Sequence, residues 1–405
     1  MCAGPLLRGS IYWLCVWGGS MRVVLMGILL FLAGVCQAAA PALTHIQAEK
    51  DPAKQIKLLN AFIKKSPKTR KAYHLRGDAY RALGRYKQAV EDYTQTIKLS
   101  PNWAFSYYAR ALVYMDMGRW PSAEADLSRA ISLNKSYRDF YLYRARTEMK
   151  LSKYNAAIAD YKKYWGKRKP TAAGSLALAK AYMGAYKYDN ARKELLSLAS
   201  RTPDDPEVYY MLGRIQQLRG ALDEAVSYYS KSINRNPAYA PAWLRRGDTF
   251  KEMKDLPAAL EDYTALLALE TKEAAYYNRR GLVYEEMKDF ENAVADYNKA
   301  IEINPKWSIP YNNRGYAYLN LKQWKEARLD LENAIKLDES APTPYVNLAG
   351  VYWLSKRDKK NTYQYLEKAI KHNFRNFDAL YDEDQKGWMF KDINKTAEFR
   401  AIMYR

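Results

Sequence analysis

Beyond Cys36 this chain of 405 residues has no cysteine; Cys2, Cys15 and Cys36 all fall in the first forty positions. If that segment is removed, disulfides, thiol catalysis and cysteine-based metal sites are excluded. Histidine is nearly as scarce. His45, His74 and His372 lie far apart, and none has another His or a Cys at ligand spacing. They read as surface histidines, although His74 falls on a helix from which it could face a groove. No phosphate loop, nucleophile motif or ligand cluster occurs. The residues argue against an enzyme, and no cofactor or metal is expected.

Acidic residues are missing from positions 1–40, where the only cations are Arg8 and Arg22. Arg22 precedes an apolar run from Val23 to Val35, too short to span a bilayer comfortably, and Ala38 to Ala40 follow it. A basic region, an apolar region and small residues in that order predict a secretory signal peptide. Pro41 disfavours a cut directly after Ala40, so cleavage is expected near Ala38 or after Ala42, and Met21 is an alternative start. Cys36 invites a lipoprotein reading, but Val35 stands where such signals need a small residue. An uncleaved membrane anchor is the alternative. The expected location is exported, periplasmic or envelope-associated.

Lys and Arg number 65 against 44 Asp and Glu, a formal charge of +21; without Arg8 and Arg22 it is +19. Such a chain prefers acidic partners or polyanionic surfaces.

What the sequence has in abundance is one pattern, repeated every 34 residues. Ala89, Ala123, Ala157, Ala191, Ala225, Ala259, Ala293 and Ala327 form an unbroken ladder. A second ladder of small residues runs Gly77, Ala111, Ala145, Ala179, Gly213, Gly247, Gly281, Gly315 and Ala349. Large residues, among them Tyr86, Trp120, Phe290 and Trp324, stand three places before the alanines, and Pro67, Pro101, Pro203, Pro237 and Pro305 share one frame. Small residues at one period mark the places where two helices approach closely, and proline stops the second of them.

A 34-residue helix–turn–helix with these landmarks resembles the tetratricopeptide repeat over residues 70 to about 372. The resemblance implies an all-α fold, a right-handed α-α superhelical solenoid of about nine units that binds proteins or peptides in a concave groove. Repeats are expected to start near Arg70, Ala104, Arg138, Ala172, Pro206, Ala240, Ala274, Ser308 and Pro342. Residues 41–69 read as an N-terminal half-repeat cap, with Asp51-Pro52 starting a helix. Residues 373–405 read as a C-terminal cap, with Phe399, Ile402 and Met403 on one helical face. The ninth repeat carries one extra residue, placed in the turn SKRDKKN.

Arginine precedes the small-residue ladder in six repeats, and aspartate follows sixteen places later each time. The pairs are Arg76 and Asp92, Arg110 and Asp126, Arg144 and Asp160, Arg246 and Asp262, Arg280 and Asp296, and Arg314 and Asp330. Where Leu178 or Leu212 replaces the arginine, Glu194 or Tyr228 replaces the aspartate. This joint replacement predicts bidentate contact between the two helices of a repeat.

First helices in this family line the groove, and side chains four apart share a helix face. Leu142 with Arg146, Leu176 with Lys180, and Tyr210 with Arg214 then predict a local row of three cations beside an apolar row. Asn278, Asn312, Asn313 and Asn347, also on first helices, could hold a peptide backbone. Most of the 36 tyrosines fall at the repeat's large core places, whereas Tyr108, Tyr210 and Tyr316 do not and are expected to point into the groove. The function expected is a non-enzymatic binding scaffold of the bacterial cell envelope for a protein or peptide, an acidic one by charge. The alternative is an electrostatic binder of acidic envelope polymer or lipid head groups. An export signal argues against nucleic acid, and the sequence leaves the oligomeric state open.

Overall fold

A computed structural model describes residues 43–269, 272–375, 380 and 387–403; the cysteines and the expected signal peptide lie outside the described residues. Among the described residues every regular element is helical, and no helix is long and apolar enough to cross a membrane. The chain divides into two compact units, one up to Lys187 and one from Tyr188.

The first unit opens with helical residues 43–48 and Pro52–Lys65 (α1). Three helix pairs follow: Arg70–Ala82 and Tyr86–Leu99 (α2, α3), Ala104–Asp116 and Trp120–Leu133 (α4, α5), and Arg138–Lys150 and Tyr154–Trp165 (α6, α7). Ala172–Gly184 (α8) completes it. Asp51 caps α1 by accepting from the Ala53 N–H at 2.9 Å, with Pro52 in the first turn. Leu43 and Ile46 pack with Leu59, Ile63, Ala72 and Leu75, closing the amino-terminal end of the core.

The second unit opens with Tyr188–Ala199 (α9). Its pairs are Pro206–Leu218 and Leu222–Arg235 (α10, α11), Ala240–Glu252 and Leu256–Ala268 (α12, α13), and Ala274–Glu286 and Phe290–Ile303 (α14, α15). Ser308–Asn320 and Trp324–Leu337 (α16, α17) and Thr343–Lys356 and Lys359–Lys371 (α18, α19) follow. The first helix of the last pair has 14 residues where that of the preceding pair has 13. A 3-10 turn, Gly387–Phe390, packs on α18 and Ala397–Met403 (α20) packs on α19. Phe390, Phe399 and Ile402 thereby share one core with Leu366 and Ala369.

The two ladders are where the helices touch. All eight ladder alanines are fully buried. A Cβ at Gly281 would stand 2.7 Å from the Tyr297 ring, so glycine there admits a tyrosine that is itself fully buried. Between the two helices of a pair the chain turns through a residue in the left-handed region: Gly84, Gly118 and Gly220, but also Ser152, Lys254, Lys288 and Lys322. Behind each such residue the next N–H reaches back five residues, as from Arg85 to the Tyr80 carbonyl at 2.8 Å and from Asp289 to that of Tyr284 at 2.8 Å. That bond ends the first helix and aims the chain into the second.

Candidate functional site

The six arginines and six aspartates meet in every case. Nε and Nη2 of each guanidinium donate to the two oxygens of one carboxylate: 2.8 and 2.6 Å for Arg76 to Asp92, 2.7 and 2.8 Å for Arg110 to Asp126, 2.6 and 2.9 Å for Arg144 to Asp160. In the second unit the distances are 2.9 and 2.7 Å for Arg246 to Asp262, 2.8 and 2.8 Å for Arg280 to Asp296, and 2.6 and 2.7 Å for Arg314 to Asp330. The aspartates are buried. Hydrogen bonding to them raises the pKa of Arg76, Arg110, Arg144 and Arg280 above the ordinary arginine value. Burial nevertheless pushes the Asp92 and Asp262 carboxyls up, which is the desolvation cost that offsets the attraction.

Each arginine also has a third contact that the sequence reading missed. Its Nη1 donates to a polar side chain sixteen places earlier, on the second helix of the preceding repeat. The acceptors are Asn60, Thr94, Ser128, Ser230, Thr264 and Asn298. Where the arginine is Leu178 or Leu212, that earlier place holds Lys162 or Leu196 instead. The clamp therefore joins neighbouring repeats as well as the helices within one. Aromatic rings flank it: Arg314 lies 5.6 Å from the Tyr311 ring and 5.9 Å from that of Tyr318, Arg246 5.0 Å from Trp243 and 5.8 Å from Phe250. Several tyrosines assigned to the core, such as Tyr311 and Tyr318, thus serve as these half-buried flanks. Tyr93, Tyr229, Tyr263 and Tyr297 are fully or almost fully buried.

On the first-helix face the expected row divides between the units. Leu142 and Arg146 on α6 and Leu176 and Lys180 on α8 belong to the first; Tyr210 and Arg214 on α10 belong to the second. Leu142 and Arg146 line a cavity of about 180 Å³ with Tyr161, Tyr164, Trp165 and Gly174. That is smaller than the roughly 300–1,000 Å³ of small-molecule sites and suits one side chain. The Arg146 guanidinium is exposed, 5.3 Å over the Tyr143 ring. Neither it nor Arg214 has a carboxylate within ion-pairing distance among the described residues.

The asparagines bond to one another. Asn347 donates to Asn312 at 3.0 Å, Asn312 to Asn313 at 3.1 Å, and Asn313 to Asn278 at 3.0 Å, so one amide chain crosses α18, α16 and α14. Asn278 and Asn347 are buried. Beside it, an ion pair absent from the sequence reading joins Arg279 on α14 to Asp248 on α12 at 2.6 Å; Asp248 also accepts from the Tyr263 hydroxyl at 2.6 Å. Tyr108 and Tyr210 are half-buried and packed, against Tyr143 at 5.4 Å and Tyr239 at 5.6 Å, and Tyr316 packs on the C-terminal core. His74 is not a solvated surface group: it lies 4.7 Å from the Trp103 ring, and burial lowers its pKa against the pull of Asp78. Among the described residues no group of three His, Cys, Asp or Glu is placed to hold a metal ion.

Family models described as tetratricopeptide repeat match residues 108–173, 176–241, 274–306 and 309–341, and one described as TPR repeat matches 77–118, together more than half the chain. No curated protein matches. Among solved structures, the C-terminal part of a TPR repeat-containing protein from Cytophaga hutchinsonii is 20% identical with a TM-score of 0.49, the match covering 57% of this chain and 95% of that one. The APC/C hetero-tetramer Cut9-Hcn1 is 14% identical with a TM-score of 0.44, covering 83% and 76%. YrrB, described as a TPR protein with an unusual peptide-binding site, is 16% identical with a TM-score of 0.39, covering 44% and 92%. Paired helices at a period of 34, the ladders at their contacts and the family models matched over more than half of the chain together show that it belongs to the tetratricopeptide repeat family.

Proposed function

We propose that this protein is a non-catalytic scaffold that binds an acidic segment of another protein along its first-helix face. The observation that carries the reading is the cavity beside Arg146. An apolar and aromatic recess with room for one side chain lies next to a guanidinium that has no carboxylate of its own. Those are the features that anchor and orient a bound peptide, one by desolvated contact and the other by charge. Lys180 on α8 adds a second cation within the first unit, and Arg214 on α10, also without a carboxylate partner, is a first-helix cation of the second unit. The peptide-binding site named for YrrB is in keeping with such a role.

The setting we propose is outside the cytoplasm, in a bacterial envelope. Its support is the basic, apolar and small-residue order of positions 1–40. A reporter active only after export, fused to residues 1–45, should be active, and an inactive fusion would remove the envelope from the proposal. Binding is tested by capture from envelope extract with the full chain and with Arg146→Glu/Lys180→Glu/Arg214→Glu. A partner retained by the native chain in moderate salt and lost by the triple variant supports the groove. Retention that is equal for both and collapses with salt favours diffuse attraction to acidic polymer or lipid.

A further inference from the structure

The clamp series breaks again at the ninth repeat, and there the break leaves a cavity. At the places that in six repeats hold a polar side chain, an arginine and an aspartate stand Glu332, Leu348 and, one place later than the usual spacing because this repeat carries an extra residue, Tyr365 in place of Gln364. Leucine supplies no guanidinium and tyrosine no carboxylate, and a cavity of about 390 Å³ remains. This volume lies within the range of small-molecule sites. It is formed largely by second helices, away from the first-helix face.

Its construction is two-sided. Glu332 on α17 and Glu339 in the following turn form an acidic wall; Lys368 and Lys371 on α19, with His372 just beyond, form a basic one. Between them lie Leu348, fully buried, and the rings of Tyr345 and Tyr365. His372 stacks flat on Tyr345, 5.0 Å between centroids at 3°, and the Lys368 ammonium stands 4.8 Å over Tyr365. These ring faces already carry cationic and imidazole groups. The Tyr345 hydroxyl donates to the Glu339 carbonyl at 3.2 Å and pins the turn that carries the second acid.

The walls do not neutralise each other. The ion-pair partner of Glu332 is Arg328, 3.7 Å away on its own helix, and no ion pair joins Glu332 or Glu339 to Lys368, Lys371 or His372. Opposite charges held apart across an open space with an aromatic lining are satisfied by a molecule that carries both signs a few bonds apart. A phosphate suits the basic wall better than a carboxylate does, because it offers more acceptor oxygens and up to two charges to three nitrogen groups.

We propose that this cavity binds an amino-alkyl phosphate of the ethanolamine phosphate kind, with its ammonium at Glu332 and Glu339 and its phosphate on Lys368, Lys371 and His372. A free phosphomonoester offers this chemistry in full; a phospholipid head group carries the same ammonium, with its phosphate as a singly charged diester. Calorimetry on the full chain uses ethanolamine phosphate, inorganic phosphate and ethanolamine as probes, and sedimentation uses vesicles of phosphatidylethanolamine or phosphatidylglycerol in phosphatidylcholine. Ethanolamine phosphate should bind at least tenfold more tightly than either half. Neutralising either wall, as Glu332→Gln/Glu339→Gln or Lys368→Gln/Lys371→Gln, should weaken it at least tenfold without moving the melting temperature. Additional binding to phosphatidylethanolamine vesicles identifies a head-group site, and binding of the soluble probe alone identifies a free ligand. No binding of ethanolamine phosphate, or tighter binding after loss of the acidic wall together with a preference for phosphatidylglycerol, would overturn the proposal.

Discussion

Arg280 and Asp296 are joined by two parallel hydrogen bonds of 2.8 Å, and the same guanidinium reaches 3.3 Å to the Thr264 hydroxyl of the preceding repeat. One side chain thus holds three helices. Removing only its carboxylate, as Asp296→Leu, leaves a half-buried cation uncompensated and should cost about 3–5 kcal/mol. Replacing both, as Arg280→Leu/Asp296→Leu, should cost much less, because Leu178 and Leu212 show that leucine fits the arginine position. A double-mutant cycle by denaturant unfolding checks this; additive losses would show that the two groups act separately.

The clamp also shows where sequence reading stopped. The partnership of Arg280 with Asp296 is legible because both change together between repeats. Thr264 is at the same fixed offset, yet it belongs to the previous repeat and alternates among Ser, Thr and Asn, so no single residue type draws the eye. The helix pairs were legible for a simpler reason. A buried alanine recurring at every contact leaves a periodic trace, whereas the side-chain directions that join Asn278, Asn312, Asn313 and Asn347 leave none.

The turn between paired helices is a second position the sequence shows only in part. Lys288 sits at φ 63, the place that Gly84, Gly118 and Gly220 fill elsewhere. A side chain in the left-handed region is strained, although glycine loses more entropy on folding. Lys288→Gly should therefore raise stability by about 0.5–1 kcal/mol, read as slower hydrogen exchange in α14 and α15. Unchanged or faster exchange would mean that the turn is not strained there.

Glu148 is buried beside Arg144, 3.7 Å away, and one of its oxygens has no hydrogen-bond partner. Burial, assisted by Asp160, pushes its carboxyl up to about 7. The folded chain then holds this proton more tightly than the unfolded chain, whose carboxyl titrates near 4.5. Its contribution is complete below that lower value and is lost as pH rises towards 7, with no further change above. Glu148→Gln should remove this slope and stabilise the third repeat above neutral pH by at most about 3 kcal/mol. Hydrogen exchange of α6 and α7 at acid and alkaline pH, in both proteins, checks the sign. An unaltered slope in the variant would assign the pH dependence elsewhere.

The central claim is that a partner sits on the first-helix face and recognises its cations. The direct measurement is the dissociation constant of the captured partner for two triple variants in the same moderate salt. One reverses Arg146, Lys180 and Arg214 to glutamate; the other reverses Lys87, Lys193 and Lys325, exposed on second helices. Each charged contact in a partly desolvated groove contributes roughly 1.5–3 kcal/mol. The first variant should therefore lose affinity by orders of magnitude at unchanged melting temperature, and the second should lose little. Equal affinities for the two variants would contradict the account and put the partner on another surface.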